Sequence, residues 1–146
     1  MSHFKHTVFF AFIVLVIGAV SASAQLGDGA GVHFTMNDSF TVNGKSFPAG
    51  QYVIARTPTS SDSTSTMVIR GEGMGAIFDT DYTRSTQAAR DTAVIFDNID
   101  GMNILTGIRV RGEVVGNQLK MTSRQRVLLA RYRPVQRVVI ADTTGL

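Results

Sequence analysis

The chain has 146 residues, 14 of them lysine or arginine against 11 acidic, and no cysteine. That length suits one domain with its own core, and the missing thiol excludes a disulfide scaffold and cysteine catalysis. A formal charge of +3 is too small to mark a nucleic-acid binder without a dedicated basic motif.

The first segment reads as a secretory leader. Lys5 lies in a short polar start, Val8 to Val20 (VFFAFIVLVIGAV) is apolar throughout, and Ser21-Ala22-Ser23-Ala24 supplies the small residues a signal peptidase reads. The apolar run is 13 residues, short of the ~20 that a membrane-spanning helix needs. Cleavage is expected after Ala24, leaving residues 25–146 as a single β domain with no transmembrane segment. Its expected location is periplasmic or extracellular. No cysteine remains for lipid attachment, and the absence of disulfides favours a bacterial origin. Asn37-Asp38-Ser39 does match a glycosylation sequon.

From Val32 onward the dominant pattern is period two, the mark of half-buried strands. Val32, Phe34 and Met36 share one face, with His33 and Thr35 opposite. Phe40-Thr41-Val42, Asn43-Gly44 and Lys45-Ser46-Phe47 form a strand, turn and strand. Both turn residues tolerate positive φ, which a type I′ hairpin requires twice in succession. Pro48-Ala49-Gly50 reverses the chain again before a strand over Gln51 to Arg56.

Thr57 to Thr66 (TPTSSDSTST) is a polar, low-complexity loop. Met67-Val68-Ile69, Ala76-Ile77-Phe78 and Ala93 to Phe96 are short apolar runs suited to central strands. Gly71 to Gly75 (GEGMG) is a turn between two of them, because no strand-to-helix unit follows to make it a phosphate loop. Asp79 to Asp91 reads as a connection with one helical turn at Ser85 to Arg90. Asp97 to Gly101 closes a hairpin, and Gly116-Asn117 a further one.

In the strand between them, Met102, Ile104, Thr106, Ile108 and Val110 line one face, and Asn103, Gly107, Arg109 and Arg111 the other. The tail admits two readings over residues 122–133: a helix capped by Ser123 and ended before Pro134, or a strand over Arg126 to Arg133. The neighbouring strands favour the second. Val135 to Ala141 is a strand. The sum is an all-β domain of about seven to nine short antiparallel strands, a sandwich, with a small barrel as the alternative.

The segment FTVNGKSFPAGQYVI resembles the pattern F-x-V-x-G-K-x-x-P-A-G-x-Y-x-V of a family of small exported bacterial β-rich proteins with no assigned activity. Phe40, Val42, Gly44, Lys45, Pro48, Ala49, Gly50 and Tyr52 carry the match, with Ile54 at the last apolar position. Strand runs between Met67 and Phe78 and between Ala93 and Leu105 extend it, so that it covers Val32 to Ile108. The resemblance implies export and a β-rich fold, and no catalytic or cofactor residue. The P-A-G-x-Y turn is also similar to turns of transthyretin-like and immunoglobulin-like sandwiches.

Chemistry-bearing residues are sparse. After the leader the only histidine is His33, no G-x-S-x-G elbow exposes a serine, and one histidine without thiols makes a poor zinc site. Asp97, Asn98 and Asp100 beside Gly101 lack EF-hand spacing, since with Asp97 as the first position Ile108 stands where the twelfth-position glutamate would be. No catalytic residue, cofactor or metal is therefore expected. A carboxylate hydrolase built on the two glutamates, Glu72 and Glu113, is one rival reading. A barrel carrying an apolar ligand is another.

Charge is the most informative asymmetry. Residues 25–100 hold 5 basic and 9 acidic side chains, whereas residues 101–146 hold 8 basic and 2 acidic, seven of the eight being arginine. Guanidinium forks grip carboxylates and phosphates in two places at once. Arg124, Arg126, Arg131, Arg133 and Arg137 are thus candidate anion-binding residues. They suit a non-enzymatic binding or structural role at the cell envelope, toward an anionic polymer or another protein subunit and not toward nucleic acid.

Overall fold

The computed structural model describes residues 31–57 and 64–144. The leader, the expected cleavage point and the centre of the polar loop lie outside them. The fold is all-β with one short helix. The strands are β1 (Gly31–Met36), β2 (Phe40–Val42), β3 (Lys45–Phe47), β4 (Gly50–Arg56), β5 (Thr64–Gly71) and β6 (Met74–Arg84). They continue with β7 (Ala93–Ile99), β8 (Met102–Arg109), β9 (Val115–Leu119), β10 (Val135–Ile140) and β11 (Asp142–Thr144), with helix α1 (Ser123–Arg131) between β9 and β10.

Eleven strand segments, two to four more than the spacing of turn signals predicts, belong to one sheet instead of two separate sandwich layers. Its order is β10-β7-β8-β9-β6-β5-β4-β1-β11, with the β2–β3 hairpin attached to β8. Every pairing is antiparallel except β2 with β8. The two terminal strands, β10 and β11, follow each other in the chain with only Ala141 between them. The sheet therefore rolls until its ends share one stretch of backbone, while β10 and β1 form no ladder with each other.

Rolling brings one face inward. Phe34 of β1 lies 6.0 Å from Phe96 of β7, centroid to centroid, although five strands separate them along the sheet. Phe40 sits at the centre, 5.3 Å from Phe47, 4.9 Å from Tyr52 and 5.4 Å from Phe96. Aliphatic side chains from β1 to β9 complete a single core. The space that an apolar-ligand barrel would keep for its cargo is filled by these rings.

Three hairpins turn through left-handed dipeptides: Asn43-Gly44, Glu72-Gly73 and Asp100-Gly101 all have positive φ at both residues. Expectation and structure agree there, and at β1, whose Val32, Phe34 and Met36 are buried while His33 and Thr35 are exposed. Gly116-Asn117 is not a turn. Both lie inside β9, and the reversal occurs over residues 110–114 at Gly112, φ 82°. Thr64 to Thr66 and Asp79 to Arg84 are strand, not loop, because β5 and β6 pair along eight consecutive positions up to Asp81 and β9 pairs with Thr80 to Arg84. Residues 85–92 contain no helical turn.

β8 departs from strict alternation. A bulge at Thr106 shifts the register, so that Phe96 faces Leu105 while Ile95 faces Gly107. The inward side chains are Leu105 and Ile108, three residues apart, because the extra residue flips the parity of the strand. Asn103 and Gly107, expected on the solvent face, are buried. Asn103 accepts from Asn98 Nδ2 at 2.9 Å and donates to the Ser39 carbonyl at 3.2 Å, tying the β2–β3 hairpin to the sheet.

Residues 123–131 form a helix, not the strand that the neighbourhood favoured. Thr122, one residue before the expected cap, closes a reciprocal capping box. Its Oγ1 accepts from Gln125 N at 3.2 Å, and Gln125 Oε1 accepts from Thr122 N at 2.9 Å. Two orphan backbone donors are satisfied locally, which stabilises a helix start without help from the sheet.

Candidate anion-binding site

The five candidate arginines do not form one face. At 100° per residue, Arg124 and Arg131 fall on one flank of α1 and Arg126 on the other. Gln125 is buried, Leu128 and Leu129 are half-buried, and Val127 stands 60 % exposed between the flanks. Arg133 follows in the exposed exit before β10. Arg137 is on β10 and is already engaged: its Nη1 lies 2.6 Å from Asp38 Oδ2. Among the described residues Arg124, Arg126, Arg131 and Arg133 form no ion pair; the two pairs formed there are Arg137 with Asp38 and Lys120 with Asp81, the latter at 3.5 Å.

A second cationic group was not legible in the sequence. The connection of residues 85–92 folds onto the 110–114 turn through three backbone hydrogen bonds: Ser85 N to Val114 O, Ala89 N to Glu113 O and Gly112 N to Ala89 O, each 2.8–2.9 Å. Together with the outward faces of β7, β8 and β10 these segments enclose a cleft of about 370 Å³. Arg84, Arg90 and Arg109 line it, with Asp91 and Glu113. The three arginines are separated by up to 25 positions in the chain, and nothing in local spacing unites them.

Glu72 and Glu113 are not brought together. Glu72 sits in the turn between β5 and β6, where its Oε1 accepts the Gln51 N–H at 3.1 Å. Glu113 lies beside the far end of β6, about 30 Å away at the rise of an extended strand. His33 is exposed on the outward row of β1, in register with Asp142. Among the described residues no group of three or more histidine, aspartate or glutamate side chains could hold a metal ion, and no helix is long and apolar enough to cross a membrane.

Two titrating groups are perturbed. Burial, reinforced by the charge of Glu72, pushes the Tyr52 phenol above its ordinary value; its hydroxyl donates to the Pro48 carbonyl at 2.7 Å. Desolvation raises the Asp97 carboxyl above the usual carboxylate range. A raised native pKa means that folding favours the protonated form. The Asp97 contribution is fully present below the unfolded-state pKa and is lost as pH rises through the native one. Asp97→Asn is therefore expected to raise the melting temperature at pH 7 and to leave it unchanged at pH 3. Calorimetry at the two pH values checks this.

No family model matches this chain, and no curated protein or solved structure is similar to it at a level that carries an inference.

Proposed function

We propose that this chain is an exported, non-enzymatic β-domain protein that acts at the cell envelope by binding, with the arginines of its C-terminal third contacting an anionic polymer. One observation carries the reading: Arg124, Arg126, Arg131 and Arg133 are exposed on one short helix and its exit, with no carboxylate partner among the described residues. Unpaired guanidiniums on a fixed backbone retain their capacity for bidentate recognition of carboxylate or phosphate. The capping box holds that backbone in place. Export rests on the leader layout and on the resemblance of Phe40 to Ile54 to the exported family.

The test is retention on a dextran-sulfate matrix. The variant carrying Arg124→Gln, Arg126→Gln and Arg131→Gln is expected to elute at lower salt than the parent. The slope of log retention against log salt should fall by up to about 3, one released counterion per lost charge. Equal elution of parent and variant would remove the arginine reading. An intact mass showing residues 1–24 attached in cells would remove export.

The carboxylate-hydrolase reading keeps one support, because Glu113 and Asp91 line the same cleft. Both are exposed, whereas a catalytic acid held protonated at neutral pH needs an apolar or shielded site.

A further inference from the structure

The cleft beside residues 85–91 is chemically distinct from the helix arginines, and its outward face is unusual for a sheet. The register lays Ile140, Ala93 and Arg109 in one row across β10, β7 and β8. The next row holds Val138, Ile95, Gly107 and Gln118. Two positions of this face, Gly107 and Gly116, have no side chain. A methyl at Gly116 would meet the Ile108 carbonyl and Thr83 Oγ1 at 3.3 Å and the stem of Arg109 at 3.5 Å. The Arg109 stem thus lies against the Gly116 position, and Arg109 is one of the residues that line the cleft.

A second, shallower hollow of about 210 Å³ adjoins the first, sharing Thr83 and Arg109 as lining residues. On one side of the cleft stand Val138, 44 % exposed, and Ile140, 64 % exposed. Exposed β-branched residues facing a concave, arginine-lined site leave an apolar wall in contact with water.

We propose that this cleft binds a monoanion with a single apolar chain, of the short-chain carboxylate class. The anionic head is held by Arg84, Arg90 and Arg109, and the chain lies against Val138 and Ile140. Charge decides for a monoanion over a polyanion: three guanidiniums face two carboxylates, Asp91 and Glu113, an excess of one. Size decides for one chain: 370 Å³ is at the small end of ligand sites. None of the three arginines forms an ion pair among the described residues, so the head displaces no internal partner. The rim is held by the three backbone hydrogen bonds of the 85–92 connection, so the site is formed before the ligand arrives.

The probe is decanoate, titrated calorimetrically against the folded domain, with decanol and acetate as matched ligands. Decanoate should bind with a Kd of about 100 µM or tighter, and decanol and acetate at least about tenfold more weakly. Arg84→Gln with Arg109→Gln should weaken decanoate about tenfold, and Ile140→Gln about fivefold. The triple variant of Arg124, Arg126 and Arg131 should bind decanoate like the parent, which separates this site from the polymer-binding reading. Decanol binding as tightly as decanoate would overturn the proposal on the parent protein alone. So would a decanoate Kd weaker than about 10 mM, or an unchanged Kd in the Arg84 and Arg109 variant.

Discussion

Replacing Phe40 by alanine is expected to cost about 3–5 kcal/mol of stability, the upper range for loss of a fully buried aromatic side chain. Phe40 is 1 % exposed, and its ring contacts Phe34, Phe47, Tyr52 and Phe96. These rings come from the neighbouring strands β1 and β4, from β7 near the other end of the sheet and from β3 of the attached hairpin. Removing the central ring leaves a void that four others cannot fill without leaving their rotamers. Because a domain of this size has a total stability of about 5–15 kcal/mol, the variant should be close to unfolding at 37 °C. Urea denaturation monitored by near-ultraviolet circular dichroism measures the cost. Phe40→Leu, which keeps most of the volume, should lose about half as much. A Phe40→Ala cost below about 1 kcal/mol would mean that the rolled sheet is not closed around this ring.

The second large effect reverses the sign that local preference would give. Gly71 ends β5, in register with Met74, and in an ordinary strand position valine would stabilise by up to about 1 kcal/mol through β-propensity. A Cβ at residue 71 would instead fall inside contact distance of the Gln51 carbonyl oxygen and the Tyr52 ring. Neither can retreat: Tyr52 is 3 % exposed in the core, and Gln51 N donates to Glu72 Oε1. Gly71→Val is expected to destabilise by about 3 kcal/mol, as overpacking against fixed backbone does. Chemical denaturation decides the matter, and a neutral or stabilising valine would show that β4 and β5 do not approach as closely as described.

Turn chemistry was readable residue by residue. Asn43-Gly44 and Asp100-Gly101 fall at hairpins because left-handed backbone is a property of those side chains, whatever surrounds them. The helix was also within reach. Thr122 and Gln125 stand at capping-box spacing, a signal that the reading from the neighbouring strands did not use. The bulge at Thr106 was out of reach. Over Met102 to Val110 only Leu105 breaks the alternation, and that one residue does not say where an extra residue will flip the strand, because the partner strand sets the register.

The candidate sites divide in the same way. Arg124 to Arg137 were found because charge density is a property of the chain. Whether each guanidinium is free was not, and Arg137 proved to be joined to Asp38, 99 positions earlier. The cleft lined by Arg84, Arg90 and Arg109 had no signal at all, since it exists only where the 85–92 connection lies on the 110–114 turn.

By itself the sequence determined that this protein is built of strands, where its tight turns fall and on which third of the chain positive charge accumulates, because these follow from local side-chain chemistry and periodicity. Only the tertiary structure decided that the strands make one rolled sheet. It also decided that β8 changes face midway and which arginines meet. Those outcomes depend on pairing between residues distant in the chain, where the free energy of register and burial outweighs any local preference.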